Sequence, residues 1–188
     1  MLERTHPITP DRATGFSDVA ALRERARKNV ELGAVTQGNK ADCKVVIRLL
    51  GDALATELVC VLRYKRHYYM ATGIHARSVA AEFLQHAAEE QGHADLLAER
   101  IVQLGGEPSF DPDQLSKRSH AQYVEGKDLD DMIREDLVAE RIAIDSYAEV
   151  IRYLGDDDPT TRRLLEGILA TEEEHAEDLL SLLRSQGA

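Results

Sequence analysis

Apolar positions recur at steps of three and four, not two, through four long stretches of the chain, and this predicts a helix in each. The first stretch, about 40–72, contains VVIRLLGDALATELVCVLRY, and Gly73 is placed to follow its last turn as a C′ residue. The second, 75–104, reads HARSVAAEFLQHAAEEQGHADLLAERIVQL and closes at Gly105-Gly106. Gly92 lies inside it. A glycine in a helix interior is about 1 kcal/mol worse than alanine, and close approach of another helix is expected to offset this. The third, about 129–154, begins beside Asp128 and Asp131, an acidic first turn that suits the helix dipole. The fourth opens at Pro159 with Asp158 as N-cap and runs to about Arg184. Ahead of these, residues 1–17 hold Pro7, Pro10 and Gly15 and read as an irregular arm. A short amphipathic helix is expected from Asp18, as N-cap, to about Leu32, followed by a break from Gly33 to Asn39.

The links between stretches predict the topology. Short links make the first two long helices one antiparallel hairpin and the last two another. Between them, residues 106–127 carry two prolines and two glycines, Gly106 and Gly126, and read as a long crossover with room for one helical turn. A helix of twenty-eight residues is about 42 Å long. Twenty-two extended residues reach about 70 Å, so the crossover can return along the whole bundle. The expected fold class is all-α: a four-helix bundle with a long crossover between its second and third helices. An N-terminal arm with a short helix occupies 1–39, and the bundle occupies 40–188.

Composition agrees with helix. Apolar residues make up 43% of the chain and aromatics 5%, with no tryptophan. The 188 residues suffice for one core. The net charge of -11 argues against nonspecific nucleic-acid binding, which needs a positive surface. The small basic cluster RERARK at 23–28 reads as a solvated helix face. Cys43 and Cys60 form no C-x-x-C and read as two buried, reduced thiols. No apolar run approaches twenty residues and no signal-peptide pattern opens the chain, so a soluble, cytoplasmic protein with no membrane partner is expected.

The strongest signal is an internal repeat. Glu57 lies in TELVCVLRY with Tyr64 seven places on, and Glu140 lies in AERIAIDSY with Tyr147 seven places on. Glu90-Gln91-Gly92-His93 in the second long helix matches Glu172-Glu173-Glu174-His175 in the fourth. The step from Glu57 to Glu90 is 33 residues and from Glu140 to Glu172 it is 32, so the second hairpin repeats the first. Residues three apart share a helix face, so each Glu-x-x-His can aim a carboxylate and an imidazole at one metal neighbourhood. Six candidate ligands, Glu57, Glu90, His93, Glu140, Glu172 and His175, then serve two metal ions. Iron or manganese suits such a carboxylate-rich set. Without metals, like charges packed in an apolar interior should raise some of the carboxylate pKa values. Glu57 interrupts ALATELVCVLRY, where an isolated glutamate would be costly to bury.

Tyr64 and Tyr147 read equally as neighbours of the metal ligands or as packing residues. His86, seven before His93, suggests packing or support of a ligand. His67, His75 and His120 read as surface or interface residues. Glu89 and Glu173 adjoin the proposed ligands and could face a cavity or another subunit.

These residues carry a resemblance to the ferritin superfamily, and most closely to bacterioferritin and Dps-like ferritins. It covers about 44–184 and rests on RLLGDALATELVCVLRY, AAEEQGHADLLAERIVQLGGEP, REDLVAERIAIDSY and ILATEEEHAEDLL. The resemblance implies a ferritin-like bundle in which Glu57 and Glu140 are terminal ligands, Glu90 and Glu172 bridge two irons, and His93 and His175 bind one iron each. It further implies two Fe per subunit, oxidation of Fe(II) with dioxygen or peroxide, and storage of the ferric product in a shell of identical chains. Gln91 stands where the haem-binding methionine of bacterioferritins would be, so no haem is expected. No fifth helix is expected after Arg184, which favours a dodecamer over a 24-mer. The same ligand set also serves manganese catalases, rubrerythrin-like peroxidases and di-iron oxygenases. A non-enzymatic helical interaction protein is the remaining alternative.

Overall fold

The computed structural model describes residues 17–74 and 76–186. His75 and most of the expected N-terminal arm lie outside them. The chain divides into two compact units, 1–37 and 38–188.

In the first unit, helix α1 spans Val19–Lys28, and the Asp18 side chain caps it by accepting from the Ala21 N–H at 3.2 Å. The helix expected to reach Leu32 stops at Lys28. A short 3-10 turn, Val30–Leu32, follows it.

The second unit is the four-helix bundle. Helix α2 spans Cys43–Met70, and Asp42 caps it by accepting from the N–H groups of Lys44 and Val45. Its buried stripe runs Val46, Leu50, Ala53, Leu54, Glu57, Cys60 and Tyr64, the spacing of one helix face. Helix α3 (Ala76–Gln103) answers with Val79, Phe83, Ala87, Ala94, Leu97 and Ile101. A short helix α4, Pro112–Arg118, lies in the crossover. Helices α5 (Leu129–Leu154) and α6 (Pro159–Gln186) form the second hairpin. α2 packs on α3 and α5 on α6, and the hairpins meet through α2 with α5 and α3 with α6. Leu54 is fully buried in this core, and its truncation to alanine should destabilise the fold by about 2–5 kcal/mol.

Gly105-Gly106 closes α3 for two reasons. Gly105 sits at φ 84, in left-handed space. A Cβ on Gly106 would come within 2.8 Å of the Ile47 side chain, so only glycine fits beneath α2 there. Gly92 contradicts the expectation of a close helix approach: a Cβ there would meet nothing within 4 Å.

The crossover runs along α2 as expected, with two helical turns rather than one. Arg118 lies over Gly51 and donates to Asp52 at 2.9 Å. The His120 N–H donates to Thr56 Oγ1 at 3.0 Å. Farther on, the carbonyls of Gln122 and Val124 accept from Arg63 and His67, each at 3.0 Å. From Gly51 to His67 this follows α2 for about 24 Å at 1.5 Å per residue.

That attachment corrects the surface reading of His67, which is fully buried. Its Nδ1 lies 2.8 Å from Asp136 Oδ2, and Arg63 Nε donates to Asp136 Oδ1 at 2.7 Å. His120 is exposed, as expected, and contacts Ser146. Cys60 is buried but Cys43 only partly so, and both are free thiols.

Candidate metal centre

The bundle brings all six sequence-predicted residues together in its interior. Glu57 on α2 and Glu140 on α5 lie in the middle of buried stripes, and both are 1% exposed. Glu90 and His93 come from α3, and Glu172 and His175 from α6, each pair one helical turn apart. His93 Nδ1 lies 2.8 Å from Glu172 Oε1, 3.3 Å from Glu90 Oε2 and 3.6 Å from Glu57 Oε2. His175 Nδ1 lies 3.7 Å from Glu90 Oε1 and 3.9 Å from both Glu140 Oε2 and Glu172 Oε2. Two quartets result, Glu57–Glu90–His93–Glu172 and Glu90–Glu140–Glu172–His175. They share Glu90 and Glu172.

Both tyrosines touch the cluster, and each crosses to the other hairpin. The Tyr64 hydroxyl donates to Glu140 Oε1, and the Tyr147 hydroxyl donates to Glu57 Oε1. Burial, then the nearby carboxylates, push both phenols well above their ordinary pKa, so both remain donors. Glu89 accepts from His175 Nε2 at 2.8 Å, which turns His175 Nδ1 toward the cluster. Glu173 is exposed. His86 is fully buried, stacks on the His175 ring at 4.0 Å and places Nδ1 3.2 Å from the Tyr64 oxygen.

Four carboxylates in so little space force protons into the cluster. Burial raises Glu90 well above the usual carboxylate range, and Glu57 and Glu140 add to the effect. Burial likewise raises Glu172, with help from Glu57 and Glu90. Burial works against a charged His93, but Glu172, Glu57 and Glu90 prevail and push it up to about 12. His175 is pushed up to about 9, against burial, mainly by Glu140. Burial also opposes an ionised Glu140, yet His175 and Glu172 bring it below the ordinary range.

Protons do not satisfy every atom. Glu90 Oε1, Glu140 Oε2 and His175 Nδ1 are buried without a hydrogen-bond partner. Glu172 Oε1, close to His93 Nδ1, lacks hydrogen-bonding geometry. Inward-facing oxygens and imidazole nitrogens left unpaired in an apolar interior are costly. This donor set fits a pair of cations with a preference for oxygen and imidazole ligands.

An open depression of about 570 Å³ lies beside His93, lined by Glu89, Gly92, Asp95, Glu99, Thr171 and Glu174 among others. The sequence reading missed it, and it missed Asp136 and Arg63. Asp136 had a signal: it falls four residues before Glu140, on the same buried face of α5. No described helix is long and apolar enough to cross a membrane.

Known proteins are similar to this chain in sequence and in fold. The chain is 30% identical over 140 residues to the bacterioferritin of Desulfovibrio desulfuricans, covering 73% of this chain and 74% of that protein. Its structure is similar to that of a dodecameric thioferritin, the bacterioferritin-related protein of Bacteroides fragilis, with a TM-score of 0.76 and 33% identity. That match covers 79% of this chain and 89% of the other. A ferritin-like, diiron-carboxylate protein of Bacillus anthracis matches with a TM-score of 0.67 and 28% identity, over 76% of this chain and 97% of the other. Residues 47–186 match the family described as Ferritin-like domain, and the chain belongs to that family.

Proposed function

We propose that the bundle binds two ferrous ions as substrate, oxidises them with dioxygen or peroxide, and stores the ferric product in a closed shell of identical chains, most simply twelve. The observation that carries this reading is the pair of quartets sharing Glu90 and Glu172. In it, Glu57 and His93 hold one ion, Glu140 and His175 hold the other, and Glu90 and Glu172 bridge them. Manganese is the alternative occupant of the same ligands.

The chain's own residues supply charge and geometry. Four carboxylates favour the rise from Fe(II) to Fe(III), and burial strengthens that electrostatic effect. Tyr64 and Tyr147 hold the two terminal carboxylates in place, and Glu89 holds the His175 ring. Two ferrous ions together provide two electrons, which reduce one dioxygen to hydrogen peroxide or one hydrogen peroxide to two waters, with two protons in either case.

The shell is supported by the similarity to the dodecameric B. fragilis protein and by the chain's charge of -11, which attracts cations. Stopped-flow mixing of the metal-free protein with Fe(II) and oxidant should show a fast oxidation phase that disappears in Glu90→Ala. A native protein without a fast phase would sink the ferroxidase reading. Retained manganese with rapid peroxide disproportionation would replace it with a catalase. Light scattering should find a particle of about 251 kDa, twelve chains of 20.9 kDa. A particle of about 42 kDa, two chains, would remove the shell and leave the centre intact.

A further inference from the structure

A second group of ligand-type side chains lies nearer the α3 N-terminus. Glu82 and His86 stand four apart on α3, and Asp178 is three residues beyond His175 on α6. One ligand atom from each lies within 4.8 Å of the other two. The group runs from interior to surface: His86 is fully buried, Glu82 partly buried, and the Asp178 side chain 51% exposed.

The hydrogen bonds leave His86 with a free lone pair. The Tyr64 hydroxyl has one hydrogen, and Glu140 takes it. Toward His86 Nδ1, 3.2 Å away, the Tyr64 oxygen can therefore only accept. A neutral His86 with its hydrogen on Nδ1 presents a bare Nε2. That atom is buried, has no hydrogen-bond partner and lies 3.9 Å from Asp178 Oδ2. An imidazole lone pair and two carboxylates thus face one another, all acceptors.

The internal repeat shows that the bundle does not need a polar group here. The step that takes Glu90 to Glu172 takes Glu82 to Leu164 and His86 to Ile168, and its reverse takes Asp178 to Leu96. Burial follows the same order: Leu164 is partly buried, Ile168 buried and Leu96 exposed. At the pseudo-equivalent place all three side chains are aliphatic. The polar triad stands where the start of α3 meets the later part of α6.

We propose that Glu82, His86 and Asp178 form a third metal site, for a divalent first-row transition ion. Two carboxylates and an imidazole suit Fe(II), Mn(II), Co(II) or Zn(II), with water completing the coordination. The triad shares no residue with the central quartets, but His86 stacks on His175, so the site is a holding position between solvent and centre. That role rests on the proposed iron chemistry. The site itself does not.

The probe is Co(II) alone, on the full chain. Crystals soaked in Co(II) and measured at the cobalt edge should show an anomalous peak between Glu82, His86 and Asp178, separate from any in the centre. In solution, the native chain should bind about three Co(II) ions and the Glu82→Gln/Asp178→Asn variant about two. Both substitutions fall outside the fully buried core, and the native crystal needs neither. No peak at the triad, or unchanged stoichiometry in the variant, overturns the proposal. A triad peak without central peaks would support it while sinking the di-metal reading of the centre.

Discussion

The Tyr64 hydroxyl donates to the Glu140 carboxylate across the bundle, from the first hairpin to the second, and Tyr147 makes the reciprocal contact with Glu57. Each of these two carboxylates is thus oriented by the hairpin that does not carry it. Removing a donor to a metal-binding carboxylate lowers metal affinity by about 10–100-fold. Tyr147→Phe should show that loss for one of the two ions only. Tyr64→Phe should lose affinity at the other ion and also free His86. Anaerobic titration with Fe(II) measures both. Native affinity in the two variants would make the tyrosines packing residues.

Metal binding should expel protons. Metal-free, the centre favours protons on His93, at about 12, and His175, at about 9, and the raised Glu90 and Glu172 hold protons more tightly than ordinary carboxylates. A cation at Nδ1 of either histidine displaces a proton from it. At pH 7.5, anaerobic loading should release about two protons or more per pair of ions. Apparent affinity should fall as pH falls, because protons compete for the same atoms. A weakly buffered titration with a pH indicator measures the release. Loading without release would mean that the neighbouring carboxylates do not hold protons on the two histidines.

The six central residues were legible for physical reasons. A glutamate inside ALATELVCVLRY cannot reach water, and a repeat that returns Glu-x-x-His at a matched offset is hard to obtain by chance. The Arg63–Asp136–His67 group was not legible. Its members are 73 and 69 positions apart, and a histidine near a helix end also suits the surface. Its other partners are main-chain carbonyls of the crossover, to which a one-letter pattern is blind.

Gly92 was misread because a glycine within a helix signals either close approach or open space, and only the fold decides between them. Here it faces the depression beside His93. Gly92→Ala should therefore stabilise the protein by about 0.5–1 kcal/mol, as helix propensity dictates. The same methyl group narrows the opening next to a proposed ligand. A raised thermal midpoint with slower Fe(II) oxidation at low iron is the expected pair of results. Unchanged kinetics would mean that ions reach the centre by another route.

Asp136 lies between two buried cationic-type side chains, and the carbonyls of Gln122 and Val124 depend on the same two residues. Asp136→Ala leaves Arg63 buried without its carboxylate, which should destabilise the fold by about 3–5 kcal/mol. Local loosening should appear at the crossover. Hydrogen exchange should quicken at 119–126 more than in α6. A uniform change along the chain would refute the crossover anchor.

Arg100 ties the end of α3 to the start of α6, the two helices that carry the Glu-x-x-His pairs. Its Nε donates to Thr161 Oγ1 at 2.8 Å, and Nη2 pairs with Asp158 Oδ1 at 3.0 Å. Asp158 also caps α6 by accepting from the Thr161 N–H at 3.0 Å. Burial works to raise the Asp158 carboxyl, but the Thr161 hydroxyl and amide, together with Arg100, hold it below its ordinary value of 3.8. For an acid whose folded value is depressed, the stability gained is fully present above the unfolded value and is lost as pH falls through the folded one. The native protein should therefore lose stability below about pH 4, more steeply than Asp158→Asn, which keeps a capping oxygen but has no carboxylate to titrate. At pH 7 that variant should be less stable by about 3–5 kcal/mol, because Arg100 is left buried beside a neutral partner. Adding Arg100→Met should recover part of the loss by removing the stranded charge. Urea midpoints for the three proteins between pH 2.5 and pH 7, in steps of about half a unit, test the whole argument. Native and Asp158→Asn curves that run parallel through the acid range would show that the ion pair contributes nothing to joining α3 and α6.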